Sequence, residues 1–162
     1  VLTSPESTRQ YLKARLRNLP HEVFACLFLD NRHRVIEYKE LFRGTIDGAS
    51  VHPREVVCEA MRANAAAVIF AHNHPSGDPK PSPEDIAITR QLVFACKIMG
   101  ITVHEHLVIG DNTYFSFADQ GYIARMHREY ETQSREAMME KIPSFKNDPQ
   151  VAEYIKSYDS FG

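Results

Sequence analysis

Short apolar runs alternate along the chain with stretches whose apolar residues recur at helical spacing, and this pattern sorts the sequence into elements. Residues 4–19 (SPESTRQYLKARLRNL) open on a serine cap and carry Tyr11, Leu12, Leu16 and Leu19 at near-helical intervals, which predicts a helix. EVFACLFLD, residues 22–30, reads as a largely buried strand. NRHR turns it into VIEYKELF, a second strand, so the two form an antiparallel hairpin. After the loop GTIDGAS, residues 52–64 (HPREVVCEAMRAN) place Pro53 in a first turn and Val56, Val57, Ala60 and Met61 on one side of a helix. AAAVIFAH, residues 65–72, is short and apolar, as a central strand is. A loop from Asn73 to Pro81 holds three of the nine prolines. Ser82-Pro83-Glu84-Asp85 then starts a helix that runs to about Met99, with Gly100 in the stop position. ITVHEHLVIG, residues 101–110, is a further strand, and DNTYFSF a turn and a short strand.

From Ala118 the character changes. YIARMHREYETQSREAMMEKI is charged and helix-prone, and the last twenty residues are polar, broken by Pro143 and Pro149. The expected organisation is a domain over residues 1–125 and an appended polar, helical tail over 126–162. The order of elements predicts an α/β fold, with helices packed around a mixed sheet. The chain opens on Val1 rather than Met, so its natural start, and another domain, are expected upstream.

Composition narrows the function classes. At 162 residues the chain is long enough for one domain with a real core, and its 43% hydrophobic and 25% charged residues are ordinary for a soluble protein. A formal charge of −2 argues against non-specific grip on a phosphate backbone, although Lys13, Arg15 and Arg17 cluster near the start. No run is apolar enough to cross a bilayer and nothing resembles a signal peptide, so the expected location is the cytoplasm, with no membrane partner. Cys26, Cys58 and Cys96 are odd in number, far apart and flanked by apolar residues, which predicts three reduced core cysteines.

The stretch AHNHPSGDPKPSPED, residues 71–85, carries the candidate chemistry. On an extended segment residues two apart share a face, so His72 and His74 offer their imidazoles to one point, and Pro75 keeps His74 extended. Imidazole nitrogens suit zinc, and a catalytic zinc takes a third protein ligand while keeping one position open. Asp85 is that third candidate, in the first turn of a helix whose dipole favours an ionised carboxylate. Ser82-x-x-Asp85 by itself is equally a helix cap, and a lone H-x-H is commonly incidental. Their joint occurrence as H-x-H-x7-S-x2-D, directly after an apolar strand, is far more specific.

His72, His74, Ser82 and Asp85 match without a gap the signature of the JAMM (MPN+ or JAB) metalloproteases. FRGTIDGASVHPREVV, AAAVIFAHNHPSGDPKPSPEDIAITRQL and HEHLVIGDNTYFSF resemble the RadC family of bacterial JAMM-domain proteins over about residues 4–123. The resemblance implies a JAMM/MPN, cytidine-deaminase-like fold of three layers, a curved mixed β-sheet flanked by helices. It implies a metalloprotease with one zinc ion per chain, held by His72, His74 and Asp85 and acting on a peptide or isopeptide bond in a protein or peptide substrate. It also implies a glutamate at the start of the first core strand as general base. Glu22 of EVFACLFLD is the nearest match, with Glu55 as a rival that fits a first-turn helix residue better. Ser82 would hydrogen-bond the oxyanion of the tetrahedral intermediate. In the second H-x-H, His104-Glu105-His106, the resemblance points to His106, lining the site or supporting a ligand from behind. His52 reads as a helix-entry residue, and His21, His33 and His127 as surface histidines.

Two other functions compete. RadC relatives carry a DNA-repair label, which suggests a DNA-processing accessory protein, yet the charge lacks the basic excess of a nucleic-acid binder. Residues 126–162 are the other candidate, as a self-association or partner-binding element, or simply a solvated terminal helix.

Overall fold

A computed structural model describes residues 4–44, 51–133, 148–150 and 153. It is α/β. A five-stranded sheet in the order β2-β1-β3-β4-β5 is built from β1 (Val23–Leu29), β2 (Val35–Arg43), β3 (Ala67–Asn73), β4 (Thr102–Ile109) and β5 (Tyr114–Ser116). Four helices cover it: α1 (Pro5–Leu16), α2 (Pro53–Arg62), α3 (Pro83–Ile98) and α4 (Tyr122–Glu131). The expected hairpin is present, β1 pairing antiparallel with β2 and, on its other edge, with β3. β3 and β4 run parallel, joined through α3, because a parallel neighbour needs a crossover of helical length.

Strand alternation divides the core into two. Phe24, Cys26, Phe28, Val68, Phe70, Val103 and Val108 face one side, where α2, α3 and α4 pack. Val23, Ala25, Leu27, Ala71, Leu107 and Ile109 face the other, under Leu12 and Leu16 of α1. The three layers explain why all seven residues of β1 are buried whereas edge strand β2 is only partly covered.

Three sequence expectations change. Cys58 is exposed on α2 and does not join the core, because it falls on the polar side of that helix; Cys26 and Cys96 are fully buried. His127 is half-buried, and its Nε2–H donates to the carbonyl of Val103 at 3.0 Å, tying α4 to β4. α4 crosses residue 125, and Ile123, Met126 and Tyr130 all belong to the core. The packed body therefore extends at least to Tyr130, while residues 134–147, 151–152 and 154–162 of the expected tail lie outside the described residues.

Candidate metal centre

The site sits where β3 ends and α3 begins. His72 is paired opposite Phe24 of β1 and beside Val108 of β4, so its backbone is held from both edges. His74 leaves the strand, but its N–H donates to the carbonyl of Ile109 at 2.9 Å, which carries the extended conformation one residue further. The chain then turns sharply at Gly77 (φ +94°), whose carbonyl accepts the N–H of Asp111. Gly110 makes that closure sterically feasible: a Cβ there would stand 2.4 Å from the Gly77 carbonyl oxygen and 2.9 Å from Pro79 Cδ.

The loop delivers a capping box. Ser82 Oγ accepts the N–H of Asp85 at 3.0 Å, and Asp85 Oδ2 accepts the N–H of Ser82 at 2.8 Å. The cap does not compete with the site. It fixes the Asp85 carboxylate, which is buried, beside both imidazoles: Oδ1 is 3.4 Å from His72 Nε2 and Oδ2 is 3.2 Å from His74 Nε2. The two Nε2 atoms are 3.1 Å apart, and donor atoms of all three residues lie within 4.8 Å of one another.

This donor set fits a zinc ion. Tetrahedral coordination at about 2.0–2.2 Å separates neighbouring ligand atoms by about 3.3–3.5 Å, close to the three approaches seen here. The proton inventory agrees. His74 Nδ1 lies 2.9 Å from the carbonyl oxygen of Asp78, which can only accept, so the neutral ring carries its proton on Nδ1 and turns its Nε2 lone pair to the site. Burial alone would raise the Asp85 carboxyl, but the His72 and His74 imidazoles and the Ser82 N–H outweigh it and hold the group well below the usual carboxylate range. Asp85, burial opposing, raises His74 in turn, and Glu22 adds to the rise. The carboxylate and the two imidazole nitrogens converge on one point, as the ligands of a cation do.

Glu22 immediately precedes β1 and is near enough to act electrostatically on His74. Asn73, between the two histidines, points to the opposite face and clamps this segment. Its Oδ1 accepts the N–H of Val23 at 2.7 Å, and its Nδ2 donates to the carbonyls of His21 at 2.9 Å and Leu19 at 3.4 Å. Glu55 is exposed in the first turn of α2 and lines a groove of about 360 Å³ with Lys39, Phe42, Arg54 and Cys58, which contains none of the three grouped residues.

The second H-x-H divides. A bulge shifts the β3–β4 register between Val68 and Ile69, which pair with Val103 and Glu105. His104 consequently packs edge-on against His33 at 4.7 Å, while His106 goes to the site. His106 is fully buried, 2.8 Å from His72 Nδ1 through its Nε2, 2.7 Å from Thr89 Oγ1 through its Nδ1, and stacked on Phe117 at 4.8 Å. Burial pushes it well below the ordinary histidine range. Asn73, Thr89 and Gly110 went unread in the sequence. Their only signals are a polar residue on the buried face of an apolar strand, a threonine one helical turn after Asp85, and a glycine closing a strand.

The comparisons with known proteins agree with this geometry. The family model described as "RadC-like JAB domain" matches residues 2–122. A UPF0758 protein of Thioalkalivibrio sulfidiphilus is 63% identical over 123 residues, covering 76% of this chain and 55% of that protein. One from Nitrosococcus oceani is 58% identical over 123 residues with the same coverage, and one from Vibrio cholerae is 57% identical over 118 residues, covering 73% and 74%. The chain thus spans about half the length of the first two relatives. Among the described residues no helix is long and apolar enough to cross a membrane. A matching model over three quarters of the sequence, relatives at this identity, and the H-x-H-x7-S-x2-D residues gathered at one point place the chain in the family of RadC-like JAB domains.

Proposed function

We propose that the protein is a zinc-dependent hydrolase of the JAMM type that cleaves a peptide or isopeptide bond. The observation that supports this most is the convergence of His72 Nε2, His74 Nε2 and the Asp85 carboxylate, at separations a tetrahedral ion requires. When bound, zinc supplies a Lewis acid and brings the pKa of water down to about 7. His72, His74 and Asp85 would hold it and leave a fourth position open. Glu22 takes the proton of the attacking water and returns it to the departing amine, so that the amine leaves neutral. Ser82 Oγ already accepts from the Asp85 N–H, which leaves its own O–H proton to donate to the oxyanion. The substrate is a protein or peptide, and the cytoplasm is the expected compartment.

Elemental analysis of protein purified without chelator tests the site, with about one zinc per chain expected. Chelator-sensitive cleavage of fluorogenic peptide and isopeptide reporters tests the reaction. Glu22→Gln should keep the metal and lose about 10²–10⁴-fold in turnover, and Ser82→Ala about 10²–10³-fold. Absence of stoichiometric metal, or metal binding that survives His74→Ala combined with Asp85→Ala, would sink the assignment.

A further inference from the structure

His72 is useful to a metal only as one of its two neutral tautomers. Its Nε2 faces His74 and Asp85, so the proton has to sit on Nδ1, which lies 2.8 Å from His106 Nε2. Imidazole against imidazole does not decide the matter, since either ring can be the donor. The decision is made two bonds away.

Thr89 lies four residues after Asp85 on α3, and its hydroxyl donates to the Asp85 backbone carbonyl at 2.6 Å. A carbonyl can only accept, and a hydroxyl has one proton, so that proton is spent there. Toward His106 Nδ1, 2.7 Å away, Thr89 Oγ1 can therefore only accept, and His106 carries its proton on Nδ1. His106 is fully buried among Phe24, Phe70 and Phe117, surroundings that favour the neutral ring. Neutral His106 with Nδ1 protonated presents a lone pair at Nε2, and His72 must donate to it. One fixed acceptor, the Asp85 carbonyl, thereby sets the direction of three successive hydrogen bonds.

We propose that Thr89 and His106 are positioning residues that lock His72 as its Nδ1–H tautomer, so that the Nε2 lone pair is presented to a metal before the metal arrives. The proposal rests on the metal-site reading above and deepens it. It also links two ligands: the peptide unit of Asp85 orients the ring of His72 through residues on α3 and β4. The phenyl groups around His106 hold the plane, and the threonine holds the proton.

The test uses the full chain with zinc alone as probe. Long-range ¹H–¹⁵N spectra of the zinc-free protein should show His72 and His106 both protonated at Nδ1. Thr89→Val keeps the shape and removes the acceptor, which releases His106 to its Nε2–H form and drives His72 to Nε2–H as well. Zinc affinity, measured by competition with a chromophoric chelator, should fall about 10–100-fold. Thr89→Ser should restore both the affinity and the tautomers. His72 or His106 protonated at Nε2 in place of Nδ1 in the unaltered protein overturns the proposal, whether or not the valine variant folds. So does a folded Thr89→Val with unchanged zinc affinity. A protein that shows the stated tautomers but takes up no zinc would defeat the metal reading and leave the relay standing.

Discussion

Asn73→Ala separates the proposed metal site from the proposed base. The substitution removes the acceptor of the Val23 N–H and the donor to the His21 and Leu19 carbonyls. The two halves of that loss differ in weight. Val23 is fully buried at the start of β1, so its N–H finds no other partner, which costs about 1–3 kcal/mol. His21 is exposed, and its carbonyl recovers water. A total near 2 kcal/mol follows, and for a chain of this size it lowers Tm by roughly 4–8 °C. The ligands themselves are held by the β1–β3 and β3–β4 ladders and by the cap of α3, none of which involves the Asn73 side chain. Thermal unfolding followed by circular dichroism measures the first effect, zinc competition the second, and reporter hydrolysis the third. The expected result is a less stable protein with near-normal zinc affinity and a lower turnover, because the segment carrying Glu22 loses its side-chain tie to β3. A Tm loss below about 2 °C, or zinc affinity that falls as far as turnover does, would refute the reasoning.

Three other outcomes follow from the structure. Gly110→Ala forces the 74–81 loop away from β4, so it should lower stability by about 1–3 kcal/mol and weaken zinc binding; urea unfolding and zinc competition measure the two effects. With a thiol reagent, native protein should show one fast cysteine, Cys58, and all three should react after denaturation; a mass shift on Cys26 or Cys96 in the native state would contradict their burial. Burial raises the Glu105 carboxyl above 4.5 against the pull of Ser116, Ala118, His106 and Arg9. A carboxyl raised on folding contributes stability that is complete below its unfolded pKa and declines as pH rises through its folded one. Urea midpoints should therefore fall from about pH 4.5 upward in the native protein relative to Glu105→Gln, and parallel curves for the two would argue against it.

Much of this was readable in advance because it is local. Apolar runs and proline-led helix starts located the strands and the first three helices, and the spacing from His72 to Asp85 named the three residues that the structure gathers at one point. What stayed hidden depends on which residues meet across the fold. The β3–β4 bulge that separates His104 from His106 leaves no mark in a strand that simply reads ITVHEHLVIG. Asn73 looks like a spacer between two histidines until β1 is brought beside β3. Cys58 sits in the apolar-looking VVCEA, and only the rotation of α2 shows that its side chain is outward. The 118–133 segment is charged along one side, which obscured the three residues by which α4 enters the core.

The turn after β3 has a consequence for the order of assembly. His72, His74 and Asp85 lie within fourteen residues of one another, whereas Glu22 is fifty residues upstream of His72. Closing the longer loop costs about 1 kcal/mol more in chain entropy, and it also requires the β1–β2 hairpin to dock. On the reading proposed above, the three candidate ligands therefore meet at a smaller cost in chain entropy than the candidate base does. Until β1 lies against β3, the proposed base would stand apart from His72, His74 and Asp85, so the docking of the hairpin is the step that would complete the candidate site.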